Sequence, residues 1–202
     1  MLLGGANAAD VIVKTQIEGL DLLPGDKNLV GANLELVDAT NREHRLRDAI
    51  APLREQYQFI LIDCPPALDL LTLNAMLAAD SIIIPIQCEF FALEGISQLM
   101  DTIERVNESF SHALKIEGIL LTMFEERTNL GKQVADDLRE FFQDEIFKTV
   151  IPRSIRLAEA PSHGKPVILY DVRSKGAESY IKLAKEILAN SAAAEAAKKA
   201  GS

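Results

Sequence analysis

Phe59-Ile60-Leu61-Ile62-Asp63-Cys64-Pro65-Pro66 is the stretch whose reading decides the fold. Four successive apolar residues cannot alternate between core and solvent, so the run predicts a strand covered on both faces, as in a parallel sheet flanked by helices. An acid stands at the strand's C-terminal end. Open α/β sheets place their ligand crevice there, and a carboxylate at that point can hold magnesium through water beside a nucleotide phosphate. Two prolines then stop the strand. The same pattern also fits an aspartate that only caps the helix that follows.

Working outward, strand and helix patterns alternate. Residues 20–23 read as a short strand closed by Pro24-Gly25-Asp26, residues 28–38 as a helix with Leu29, Ala32, Leu36 and Val37 on one face, and residues 42–56 as a second helix with Pro52 late in it. After the central strand come a helix at 70–79 and a second apolar run at 81–86, whose Pro85 predicts closure or a bulge at Ile84. Leu93, Ile96, Leu99, Met100, Ile103 and Val106 recur at spacings of three and four and predict an amphipathic helix from 92 to 108. Strands at 116–124 and 146–151 and helices at 130–142 and 174–188 complete the series. The fold class is therefore α/β, with a mostly parallel sheet flanked by helices in a single domain over residues 1–189. Residues 190–202 are Ala-rich without an apolar stripe and are expected to be frayed or disordered.

Apolar residues make up 48% and charged residues 25% of the 202, an ordinary globular composition with no membrane-length apolar run. Cys64 and Cys88 lack C-x-x-C spacing and read as two reduced thiols, and three scattered histidines give no metal-ligand pattern. The net charge of −9 argues against a chain that is basic all over. Between Lys148 and Lys175, however, six basic residues stand against two acids. A local positive face suits a phosphate backbone, and a merely solvated loop fits the same charges.

By the time the chain reaches Ile62-Asp63-Cys64-Pro65-Pro66 and Ala92-Leu93-Glu94-Gly95, it resembles the ParA/Soj family of chromosome and plasmid partitioning ATPases. Leu71-Thr72-Leu73-Asn74-Ala75, Pro85-Ile86-Gln87-Cys88-Glu89, Val150-Ile151-Pro152-Arg153, Glu159-Ala160-Pro161-Ser162 and Gly164-Lys165-Pro166-Val167 carry the likeness in order to about Ala189. The resemblance implies a deviant P-loop NTPase fold of the ParA/MinD type that binds ATP and Mg²⁺. It further implies a homodimer that sandwiches nucleotide, non-specific DNA binding, a ParB/Spo0J-type partner and a cytoplasmic, nucleoid-associated location. Carried over by position, Asp63 looks like the acid that holds magnesium through water, Pro152 and Ser154 like the adenine lining, and Glu94 like a residue facing the partner subunit. Arg127, Lys132, Arg153, Arg156, Lys165, Arg173 and Lys175 are the expected DNA-contacting set.

One departure bears on activity. The family's K-G-G-V-G-K-T loop is not among these residues, and Gly4-Gly5 has no Lys-Thr after it and so makes no phosphate cradle. The expectation is that this is the C-terminal three quarters of a longer protein whose first strands and phosphate loop lie upstream of Met1, and that the 202 residues alone are inactive, with no catalytic residue of their own and no bound cofactor. Two alternatives remain: a degenerate, nucleotide-free interaction module, or a MinD-like positioning ATPase. The second is disfavoured because residues 191–200 offer a bilayer little beyond alanine methyls.

Overall fold

The structure, a computed structural model, describes residues 1–200. Its contacts gather into two compact units, Met1–Ser81 with Ile103–Lys115, and Ile82–Thr102 with Ile116–Ser202. The stretch expected as one domain is therefore described unit by unit.

In the first unit, β1 (Val13–Lys14) pairs antiparallel with β2 (Asp21–Leu22). The residues expected to form a helix at 28–38 form a 3-10 turn, Lys27–Gly31, followed by the single turn α1 (Ala32–Glu35). The expected helix at 42–56 is likewise broken: α2 (Arg45–Ile50) lies between the 3-10 segments Arg42–His44 and Ala51–Leu53. Asn41 in the left-handed region sets the start, and Pro52, with no N–H to give, draws the end into the tighter 3-10 form. α3 (Leu70–Ala78) begins on Asp69, whose side chain accepts from the Thr72 amide at 3.0 Å. Leu36, Ile50, Leu53, Met76 and Leu77 are buried here, as are Ile103 and Val106 of α4 (Ala92–Phe110).

Holding α3 to the segment before α2 is a side chain that would ordinarily sit outside. Asn74 is 1% exposed, donates to the carbonyls of Arg42 and Leu70 at 2.8 and 2.9 Å, and accepts from the Leu46 amide at 3.0 Å. Those bonds offset the cost of taking an amide out of water.

The strand read at 59–62 is corrected. Residues 59–63 take no regular secondary structure and pair with no strand among the described residues, and Phe59, Ile60 and Leu61 are exposed, Leu61 by 85%. An apolar run becomes a buried strand only with hydrogen-bonded neighbours and cover on both faces, and the described residues bring neither to it.

In the second unit, β3 (Ser81–Gln87) and β4 (Lys115–Thr122) are hydrogen-bonded neighbours joined through α4, the long connection that parallel neighbours require. Of the two outcomes expected at Ile84, closure or a bulge, closure does not occur: β3 runs on through Pro85 to Gln87, and the Thr122 hydroxyl donates to the Ile86 carbonyl at 3.0 Å. The strand expected at 146–151 is reduced to two isolated parallel bridges, Ile119 with Ile146 and Phe124 with Pro152. Its middle is diverted, because the Lys148 and Thr149 amides donate to the Glu186 carboxylate at 2.7 and 3.0 Å. α5 (Asn129–Phe142), α6 (Ile155–Glu159), α7 (Val167–Tyr170) and α8 (Lys175–Ala200) follow. Leu120, Phe147, Ile151 and Leu183 form a core cluster against which Ile83, Leu157 and Ile187 pack. Gly118 makes room for it, since a Cβ there would stand 2.6 Å from the Phe147 ring.

α8 continues through residue 200, where a disordered tail was expected from Asn190. Alanine is the best helix former, so the composition that denied the tail a packed face favours its helix. Gly201 and Ser202 lie outside the described residues. Among the described residues no helix is long and apolar enough to cross a membrane.

The Glu186 contact yields a pH prediction. Burial pushes this carboxyl up, but the side chain and amide of Thr149 and the amide of Lys148 outweigh it, leaving it below the ordinary glutamate value of 4.5. A folded-state value below the unfolded one contributes stability that is complete above about pH 4.5 and is lost as pH falls through the folded value. Glu186→Gln should therefore destabilise by on the order of 1 to 2 kcal/mol at neutral pH and by much less near pH ~3. Urea unfolding of both proteins at the two pH values checks this; a difference independent of pH would refute the ionised contact.

Candidate functional site

The chain leaving the central apolar run carries Asp63, exposed and outside any regular element, ahead of Pro65 and Pro66. Order returns at Asp69. Its carboxylate accepts from the Thr72 amide and, at 2.7 Å, from the Asn33 side chain, while the Asn33 oxygen accepts from the Leu71 amide at 3.2 Å. The Thr72 amide chiefly holds the Asp69 carboxyl below its ordinary range, against the opposing effect of burial. The start of the helix after Asp63 is thus anchored, while Asp63 itself is not. Cys64 beside it is a free, exposed thiol.

Fitness for a nucleotide and magnesium can be judged from these residues. Among the described residues no three His, Cys, Asp or Glu side chains gather where they could hold a metal ion. Asp63 is a lone carboxylate without a neighbouring loop of backbone donors for phosphate, and the Gly4 amide is engaged in a turn with the Met1 carbonyl at 2.9 Å. As arranged, the residues do not form that site, and no chemical step is drawn through it.

The second unit brings most of the remaining candidates together. Pro152 bridges Phe124, and Ser154 precedes α6 without bonding its amides. Arg153 and Arg156, expected on DNA, are engaged with acids of the same chain. Arg153 lies 3.8 Å from Glu125, and Arg156 lies 2.9 Å from Glu159 and 3.4 Å from Asp171. Arg127, Lys132, Lys165, Arg173 and Lys175 are exposed, and among the described residues none has a carboxylate within 4.0 Å. The Arg173 amide donates to Asp171 at 3.2 Å, which ties the start of α8 to the Arg156 network. Glu94 is exposed in the first turn of α4, with Gln98 Nε2 at 3.5 Å.

Sequence reasoning missed Asn74 as a clamp, Glu186 as an acceptor, and the stacking of His163 on Tyr170. No periodicity signals any of them, because each partner comes from another segment.

A family model described as an AAA domain matches residues 1–116. The chain is 52% identical over 190 residues to the sporulation initiation inhibitor protein Soj of Bacillus subtilis, covering 94% of this chain and 75% of Soj. It is 50% identical over 190 residues to the chromosome partitioning protein ParA of Caulobacter vibrioides, covering 93% and 71%. The chain belongs to the ParA/Soj family of chromosome-partitioning ATPases. Among solved structures, cobyrinic acid a,c-diamide synthase from Mycobacterium smegmatis, with bound ADP and magnesium, superposes with a TM-score of 0.77 at 33% identity, covering 93% of this chain and 69% of that one. The ParA/Soj chain thus has the α/β fold with parallel strands and flanking helices that its hydrophobic pattern predicts.

Proposed function

We propose that this chain serves ATP-driven chromosome or plasmid partitioning as a cytoplasmic, nucleoid-associated ParA/Soj-type protein that holds DNA without reading its sequence. The observation that carries the DNA reading is the set Arg127, Lys132, Lys165, Arg173 and Lys175: five exposed cations in one unit of a chain whose net charge is −9, none paired with a carboxylate among the described residues. Cations that need not first release a carboxylate are the ones available to phosphate. Arg153 and Arg156 must break ion pairs to contribute and rank second. In the same reading Glu94 faces a second copy in a homodimer, Asp63 holds Mg²⁺ through water, Pro152 and Ser154 line the adenine of ATP, each role resting on its own unit, and a ParB-type partner drives release.

Changing Lys165, Arg173 and Lys175 together to alanine should weaken binding equally on unrelated duplexes. It should also flatten the dependence of log K on log salt by about 0.9 per lost contact. Arg153→Ala with Arg156→Ala should do less. Fluorescence anisotropy across a salt series measures both; unchanged affinity and slope in the triple variant would remove the assignment.

A second reading, a nucleotide-free interaction module, is favoured by one observation: Asp63 stands alone on exposed backbone with no phosphate cradle beside it among the described residues. ATP-dependent DNA release by the protein extended to the length of its relatives would decide against it.

A further inference from the structure

The turn between α6 and α7 builds a feature that phosphate contacts alone do not require. Residues Ala160–His163 form a 3-10 segment with Pro161 at its start, and it ends on Gly164, whose φ of 61° places it in the left-handed region. The Gly164 and Lys165 amides close the turn onto the Pro161 and Ala160 carbonyls at 2.9 and 3.2 Å. This brings the His163 ring onto the Tyr170 ring, with centroids 4.9 Å apart and planes 24° from parallel.

The stack is held from behind. The Tyr170 hydroxyl donates to Glu159 at 3.2 Å, Arg156 donates to the same carboxylate oxygen at 2.9 Å, and the Ser162 hydroxyl donates to the Glu159 carbonyl at 2.7 Å. Tyr170 is half-buried whereas His163 is exposed, so the pair shows solvent a supported aromatic face. Lys165 lies two residues beyond His163, and Arg173 follows Tyr170 across Asp171. A pre-ordered π-surface with exposed cations two and three residues away along the chain is what an unpaired base on a charged backbone recognises. Stacking is indifferent to base identity, and the cations take the flanking phosphates. A base inside a duplex cannot reach such a face.

We infer that the His163–Tyr170 pair is a stacking platform for an unpaired nucleobase, which gives this surface a mode of holding single-stranded nucleic acid distinct from its phosphate contacts with duplex. The inference rests on the reading of this unit as DNA-binding. The acids inside the network, Glu159 and Asp171, are occupied by Tyr170, Arg156 and the Arg173 amide, so they orient the platform while their charge is largely compensated.

The test uses the full chain, a short oligothymidylate, an abasic deoxyribose-phosphate strand of the same length and a duplex. His163→Ala should weaken oligothymidylate binding about tenfold, within the roughly 5- to 160-fold that stacking one base implies, and leave the duplex and the abasic strand unaffected. His163→Phe should restore the loss, because it returns an aromatic face without a ring nitrogen. A His163→Ala effect equal on all three ligands, or absent from all, overturns the platform while leaving phosphate binding intact. Failure of the unaltered chain to bind any of them overturns both readings.

Discussion

Asn74→Leu should lower the stability of the first unit by about 3 to 5 kcal/mol, the largest loss expected from any single substitution described for this chain. Leucine has the same number and branching of side-chain heavy atoms as asparagine and a larger volume, so the effect would not come from an unfilled space. It would come from three backbone groups left without partners: the Arg42 and Leu70 carbonyls and the Leu46 amide, all now held by one side chain that is 1% exposed. The Leu46 amide belongs to the first turn of α2, and those amides have no partner within their own helix. Each buried orphan costs on the order of 1 to 3 kcal/mol, and relaxation toward water recovers part of the sum. Urea denaturation followed by circular dichroism measures the change. A loss below about 1 kcal/mol would mean that water already reaches these groups, and the clamp would then be an ordinary surface contact.

The second large effect concerns nucleotide. The 202-residue chain by itself should show no saturable binding of ATP with magnesium at concentrations up to about 1 mM, which corresponds to an affinity weaker than roughly 4 kcal/mol. Phosphoryl groups are held by backbone donors in a loop and by positioned positive charge, and ATP left in water keeps its own hydration instead. Asp63 supplies negative charge, which repels phosphate unless a metal stands between, and among the described residues no cluster of acids, cysteines or histidines holds that metal. Pro152 and Ser154 could offer an adenine only contact area. Isothermal titration with ATP, repeated with and without magnesium, is the measurement. Tight magnesium-dependent heat would place a phosphate site among these residues and would return Asp63 to the centre of the chemistry.

Much of this was legible from residue order. The spacing of Leu93, Ile96, Leu99, Met100, Ile103 and Val106 fixes α4 as a helix with one apolar face, and Ile96 and Ile103 are buried as that spacing requires. A period of 3.6 is a local property, so it can be read one window at a time. The fold class followed from the alternation of such windows with apolar runs, and the family from ordered motifs, because both are carried by the chain itself. Helix breaks at Asn41 and Pro52 were less visible, since a short-range backbone preference competes there with an apolar pattern that continues through them.

What only the tertiary structure decided is which groups found partners. Phe59-Ile60-Leu61-Ile62 has the composition of a central strand, yet a strand exists only through its neighbours, and this run pairs with no strand among the described residues. Among the described residues the seven cations read as one set divide into two paired and five unpaired, because Glu125, Glu159 and Asp171 come from three separate segments. Glu186 draws two amides away from β4, and Asn74 closes on three backbone groups from three elements. Hydrogen bonds and ion pairs are decided within about 3 to 4 Å, a distance that sequence separation does not encode. Residue order therefore determined the long amphipathic helices, the fold class and the family, while three-dimensional contact determined which charges and amides remain available for function.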